Sequence, residues 1–148
     1  MTIDKQVLAA ARGWIGTPYR HQCSTRGQGA DCLGLLRGIW REVLGAEPEE
    51  LPAYTPDWSE ASGVERMWQG AARHLQAVPV DPRMAGQVVL FRMRRGAVAK
   101  HVAVLGGETR GFATIVHAYS GAGVVETPLT PAWARRIVAQ FRFPDRRG

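Results

Sequence analysis

Gly27-Gln28-Gly29-Ala30-Asp31-Cys32-Leu33-Gly34-Leu35-Leu36-Arg37-Gly38-Ile39-Trp40-Arg41-Glu42-Val43 is the stretch on which the fold turns. Cys32, Leu35, Leu36, Ile39, Trp40 and Val43 recur at helical spacing, so one apolar stripe begins at Cys32. The flexible, glycine-containing run before Asp31 does not share that period, and Gly45 is a natural stop. The spacing therefore predicts a helix that starts near Asp31, with Cys32 in its first turn. A thiol at a helix N-terminus is a candidate nucleophile, because the helix dipole favours the thiolate. A small cysteine that merely packs is the other reading, and periodicity leaves both open.

Upstream, residues 3–15 carry a second stripe at Ile3, Val7, Leu8, Ala11, Trp14 and Ile15. Thr2 is a natural N-cap, Asp4 suits the first turn, and Gly16-Thr17-Pro18 ends the helix. A polar loop is expected over 19–30. Downstream comes a loop rich in proline and acidic residues over 47–58. A third helix follows over 60–76, with a stripe of Val64, Met67, Trp68, Ala71, Ala72 and Leu75. After Pro79 the pattern changes to short β-type runs, predicted as strands over 87–93, 101–105, 113–119, 124–127 and 137–143. Helices first and an antiparallel sheet second make an α+β fold. The 148 residues fit one domain, 1–148, with one hydrophobic core.

Net charge is +6, from 19 basic and 13 acidic residues, which suits an anionic partner or simply a well-solvated surface. No basic run of five residues occurs, so sequence-specific nucleic-acid binding is not expected. The arginine-rich end, 142–148, reads as a solvated tail. No apolar run approaches the roughly 20 residues a membrane span needs. Met1-Thr2-Ile3-Asp4-Lys5 lacks a basic segment followed by an apolar one, so no signal peptide is expected, and synthesis is expected in the cytoplasm. A Cys23–Cys32 disulfide is then disfavoured, and the spacing of the two cysteines is unusual for zinc.

A nucleophilic thiol needs a base. His21 lies in the loop before Cys32, and His74 sits beside the third helix's stripe. His101 begins one predicted strand and His117 lies in the next. The seven residues between Leu105 and Ala113 include three glycines, and a hairpin symmetric about Thr109 would set His101 opposite His117 on one face. Cysteine and two imidazoles would then form nucleophile, base and orienting group. A zinc site of Cys and two His is the rival, but the strands offer neither a fourth ligand nor a catalytic Glu.

These pieces resemble the NlpC/P60 cysteine peptidases, in particular the subgroup encoded with phage tails and gene transfer agents. The matching stretches are Trp14-Ile15-Gly16-Thr17-Pro18-Tyr19-Arg20, Asp31-Cys32-Leu33-Gly34-Leu35, Gly86-Gln87-Val88-Val89-Leu90-Phe91, His101-Val102-Ala103-Val104-Leu105 and Val116-His117-Ala118. The resemblance implies a papain-like core with the cysteine helix packed on an antiparallel sheet. It implies Cys32 as nucleophile, His101 as general base and His117 as the group that orients it. Tyr19 would lie near the thiol, and Asp31 and the Cys32 backbone N–H would belong to the substrate and oxyanion side. It implies hydrolysis of amide bonds in peptidoglycan stem peptides, with no metal or organic cofactor. Its partners would be peptidoglycan and phage-like tail or hub proteins, within a tail particle that opens the wall for DNA. The sequence departs from the family at Leu33, where a small Ser is usual, and at Gln87, where an Asp is usual. The rivals are a thiol acyltransferase or amidase on the same scaffold, and a structural tail component. The 47–58 insert and the arginine-rich tail are candidates for docking.

Overall fold

The computed structural model describes residues 1–48 and 66–145. Helix α1 (Ile3–Gly13) starts where the Thr2 side chain accepts from the Lys5 N–H, and it buries Ile3, Val7 and Ala11. Helix α2 (Cys32–Val43) starts at Asp31, whose carboxylate accepts from the Gly34 N–H at 2.7 Å. Both starts match the sequence reading. The expected loop over 19–30 contains a small hairpin, β1 (Ser24–Thr25) and β2 (Gly29–Ala30). Two-residue strands have no period of their own, so composition alone reads them as loop.

Helix α3 (Arg66–His74) is shorter than the expected 60–76, of which 60–65 lie outside the described residues. Its C-terminal end is a correction: Gln76 belongs to β3 (Gln76–Val78), where it pairs with Arg142. The remaining elements are β4 (Val88–Arg92), β5 (Ala99–Thr109), β6 (Phe112–Tyr119), β7 (Gly123–Pro128), α4 (Pro131–Ala134) and β8 (Ile137–Arg142). The six-stranded sheet has the order β3-β8-β4-β5-β6-β7, and its neighbours run antiparallel.

Alternation along the strands gives the sheet two apolar faces. Val88, Leu90, Val102, Val104 and Val116 join the helices in the main core. Val89, Phe91, Ala103, Leu105 and Ile115 form a second cluster, packed by Trp133 of α4. The odd-numbered His101 and His117 fall on this second face.

The β5–β6 hairpin differs from the expected register. Its turn is the two residues Arg110 and Gly111, at φ 55° and 80°, both left-handed as a tight hairpin turn requires. With an irregularity between Leu105 and Gly107, the strands pair Val104 with Val116 and Leu105 with Ile115. This is two residues out of step with a His101–His117 pair. Because side chains alternate with period two, a shift of two preserves the face. The imidazoles therefore remain neighbours, as a diagonal pair.

Two glycines set how closely α2 is approached. A Cβ on Gly38 would stand 2.0 Å from the Trp14 ring, and one on Gly34 would stand 1.8 Å from the Cys23 carbonyl oxygen. Gly34 thus lets the strand-bearing loop lie directly on the first turn of α2. Gly34→Ala is expected to cost about 3 kcal/mol of stability, since the clash is with backbone that cannot rotate away. Urea unfolding checks this, and a variant as stable as the parent would show that the loop does not need the contact.

Glu47, at the start of the proposed docking insert, pairs with Arg37 at 2.7 Å and Arg41 at 2.9 Å. Residues 49–58 of that insert, and residues 146–148 of the tail, lie outside the described residues. Arg142, where the tail begins, bonds Gln76 and Asp145. Among the described residues, no helix is long and apolar enough to cross a membrane.

Candidate active site

The β5–β6 ladder ends at Val104 and Val116, although both strands continue past that point. On the edge of β5 that loses its partner, the Lys100 carbonyl and Val102 N–H stand where further rungs would form. The sulfur of Cys32 takes their place: its thiol donates to the Lys100 carbonyl at 3.8 Å, and the Val102 N–H points to it. Cys32 thus flanks the backbone of His101 on both sides. Among the described residues, the thiol makes no hydrogen bond to the His101 ring.

His101 and His117 form the centre of the other half. His101 Nε2 lies 2.8 Å from His117 Nδ1, and both residues are buried. His117 Nε2 lies 3.0 Å from Thr127 Oγ1. Trp133 covers both rings, with centroids 5.4 Å from each, and Phe91 and Tyr119 complete an aromatic surround. With Nε2 engaged, Nδ1 of His101 is the ring nitrogen left to take up a proton.

Burial decides the charge of every member. It pushes His101 down to about 3, helped by the charge of His117, and His117 down to about 4. Both are neutral at pH 7. The Cys32 thiol is pushed up to about 12, first by burial and then by the Asp31 carboxylate. The N–H groups of Val102, Leu33 and Cys32 pull the other way and lose. The start of the helix lowers this pKa as expected, but burial outweighs it.

The sequence-predicted site residues otherwise gather at this place. Tyr19 bridges Ala30, and its phenol is pushed up by burial and then by charge on Cys32 and Asp31, which places it beside both. Asp31 is buried. One carboxylate oxygen caps α2 at Gly34, and the other accepts from the Gln22 N–H at 2.8 Å, holding the left-handed Gln22 in place. Asp31 thus fixes the helix start and the loop together. His21 Nδ1 lies 3.8 Å from Asp31, while His74 is the last residue of α3. Cys23 and Cys32 are both free thiols.

This architecture has solved counterparts. A protein from Staphylococcus aureus subsp. aureus Mu50, similar to lipoprotein and of the NLP/P60 family, superposes with a TM-score of 0.60 at 18% identity, over 95% of this chain and 41% of that one. The fold is that of an NLP/P60 protein. A second structure, Ly7917, gives a TM-score of 0.57 at 17% identity, over 97% of this chain and 63% of its own. The chain thus spans less than two thirds of either counterpart. No protein-family model and no curated protein matches the chain.

Within this NLP/P60 fold, two residues went unread in the sequence. Trp133 stands on a four-residue helix that Thr130 caps and Pro131 opens, a local signal that was legible. Thr127 carries no local signal. Only the pairing of β6 with β7, which sets Thr127 opposite Ile115, brings it diagonally to His117.

Proposed function

We propose that this chain is a cysteine hydrolase that cleaves amide bonds in peptidoglycan stem peptides. The observation that carries the reading is the Cys32 sulfur lodged against the backbone of His101, whose ring His117 holds at 2.8 Å. Cys32 is the nucleophile, His101 the general base and His117 the orienting group. Because thiol and imidazole both rest neutral, the proton moves when substrate arrives. His101 Nδ1 takes it from the thiol as sulfur attacks the carbonyl carbon. Donors at the start of α2 face the developing oxyanion. The imidazolium then protonates the departing amine, leaving a thioester. Water, deprotonated by His101, releases the acid and restores the thiol.

The resemblance to the phage-tail subgroup supports a second part of the proposal, that the enzyme travels in a phage-like tail and opens the wall locally. Digestion of purified muropeptides, followed by mass spectrometry, tests the reading. Wild type should release new stem-peptide fragments, and Cys32→Ser should not. Aminolysis products dominating over hydrolysis would favour the acyltransferase. A wild type that releases nothing would leave only the structural role.

A further inference from the structure

The imidazole pair is one segment of a longer line. His101 on β5, His117 on β6 and Thr127 on β7 lie diagonally across three neighbouring strands, on one face, joined at 2.8 Å and 3.0 Å. Each neutral imidazole carries one N–H and one bare nitrogen. Two arrangements of protons therefore satisfy the line. In one, the Thr127 hydroxyl donates to His117 Nε2, His117 Nδ1–H donates to His101 Nε2, and His101 carries its proton on Nδ1. In the other, His101 Nε2–H donates to His117 Nδ1, and His117 Nε2–H donates to the Thr127 oxygen. Only the second leaves His101 Nδ1 bare.

We propose that Thr127 is a positioning residue that accepts from His117 Nε2 and so selects the tautomer in which His101 can act as base. This rests on the catalytic roles proposed above. Both arrangements fit these distances, and the partial exposure of Thr127 favours the second. Burial keeps both rings neutral, so the line holds no spare proton. Trp133 covers the pair, and among the described residues Thr127 is the partner that His117 Nε2 has. Thr127 is itself only partly buried, so its hydroxyl proton can turn to water while its oxygen accepts from the ring. A hydroxyl is needed and a methyl is not, which separates serine from valine at this position.

Nitrogen-15 NMR of the histidine side chains in the wild-type protein at pH 7 reads the tautomers directly. The proposal expects both His101 and His117 protonated on Nε2. Thr127→Ser should keep that pattern and stay within about threefold of wild type in kcat. Thr127→Val, nearly the same shape, should mix or reverse the tautomers and lower kcat roughly 10–100-fold with KM within twofold. His117 protonated on Nδ1 in the wild type overturns the proposal, as does a valine variant with wild-type tautomers and kcat. The NMR result does not require turnover. A protein that shows the predicted tautomers yet cleaves nothing refutes the peptidase reading and leaves the tautomer assignment standing.

Discussion

Cys32→Ala is expected to lower stem-peptide hydrolysis by at least about 10³-fold, because it removes the proposed nucleophile. The loss should be nearly all in kcat. The Cys32 side chain meets the sheet at the rim of the core, through one long sulfur bond to Lys100 and the Val102 N–H, so folding should be little disturbed. Cys32→Ser is the sharper comparison. Its hydroxyl preserves shape but is a much weaker acid than the thiol, and a base held down at about 3 is poorly placed to activate it. A serine variant should therefore be nearly as inactive as alanine. Steady-state kinetics on a defined muropeptide, with thermal melting as control, checks both. Retention of a tenth of wild-type activity by either variant would remove Cys32 from the mechanism.

Acidification is expected to destabilise the protein well above the range in which carboxylates titrate. His101 and His117 take up protons near 6.5 when unfolded, but only at about 3 and about 4 when folded. Between these values the unfolded state binds more protons, so stability falls as pH falls through that window. By pH 5 each imidazole should have removed about 2 kcal/mol, and the pair about 4 kcal/mol. Glu126, whose pKa the Arg12 guanidinium lowers, contributes only below the ordinary carboxylate range. The loss between pH 6.5 and 5 therefore belongs to histidine. Urea unfolding across this interval, with His101→Gln for comparison, should show a slope reduced by about half in the variant. A wild-type stability that stays flat from pH 6.5 to 5 would mean that the pair is protonated or solvated in the fold.

How much of this was legible follows from range. The starts of α1 and α2 were readable because their caps and stripes are local: Thr2 before Ile3, and Asp31 before Cys32. The five strands after Pro79 were readable for the same reason, as alternation bounded by turns. β3 was missed because Gln76–Val78 becomes a strand only through its pairing with β8. The hairpin register was misread because the turn falls at Arg110-Gly111 rather than symmetrically about Thr109, with an irregularity after Leu105. The two imidazoles were nevertheless placed on one face, since an even shift leaves faces unchanged.

The chemistry of Cys32 was the least legible part. Position at a helix N-terminus is visible in sequence, and it argues for a lowered pKa. The burial that outweighs it, and the Asp31 charge that adds to it, come from tertiary packing that a helical stripe does not encode. Thr127 and Trp133 likewise enter through strand pairing and through the placing of a short helix against the second face.

The central claim is that the Cys32 sulfur becomes covalently acylated by a stem peptide. Acid-quenched turnover followed by peptide mapping in the mass spectrometer tests it most directly. The account predicts a thioester adduct on Cys32, none on Cys23, and none in Cys32→Ala. Hydrolysis that continues with Cys32 unmodified, or an adduct that persists in Cys32→Ala, would contradict it.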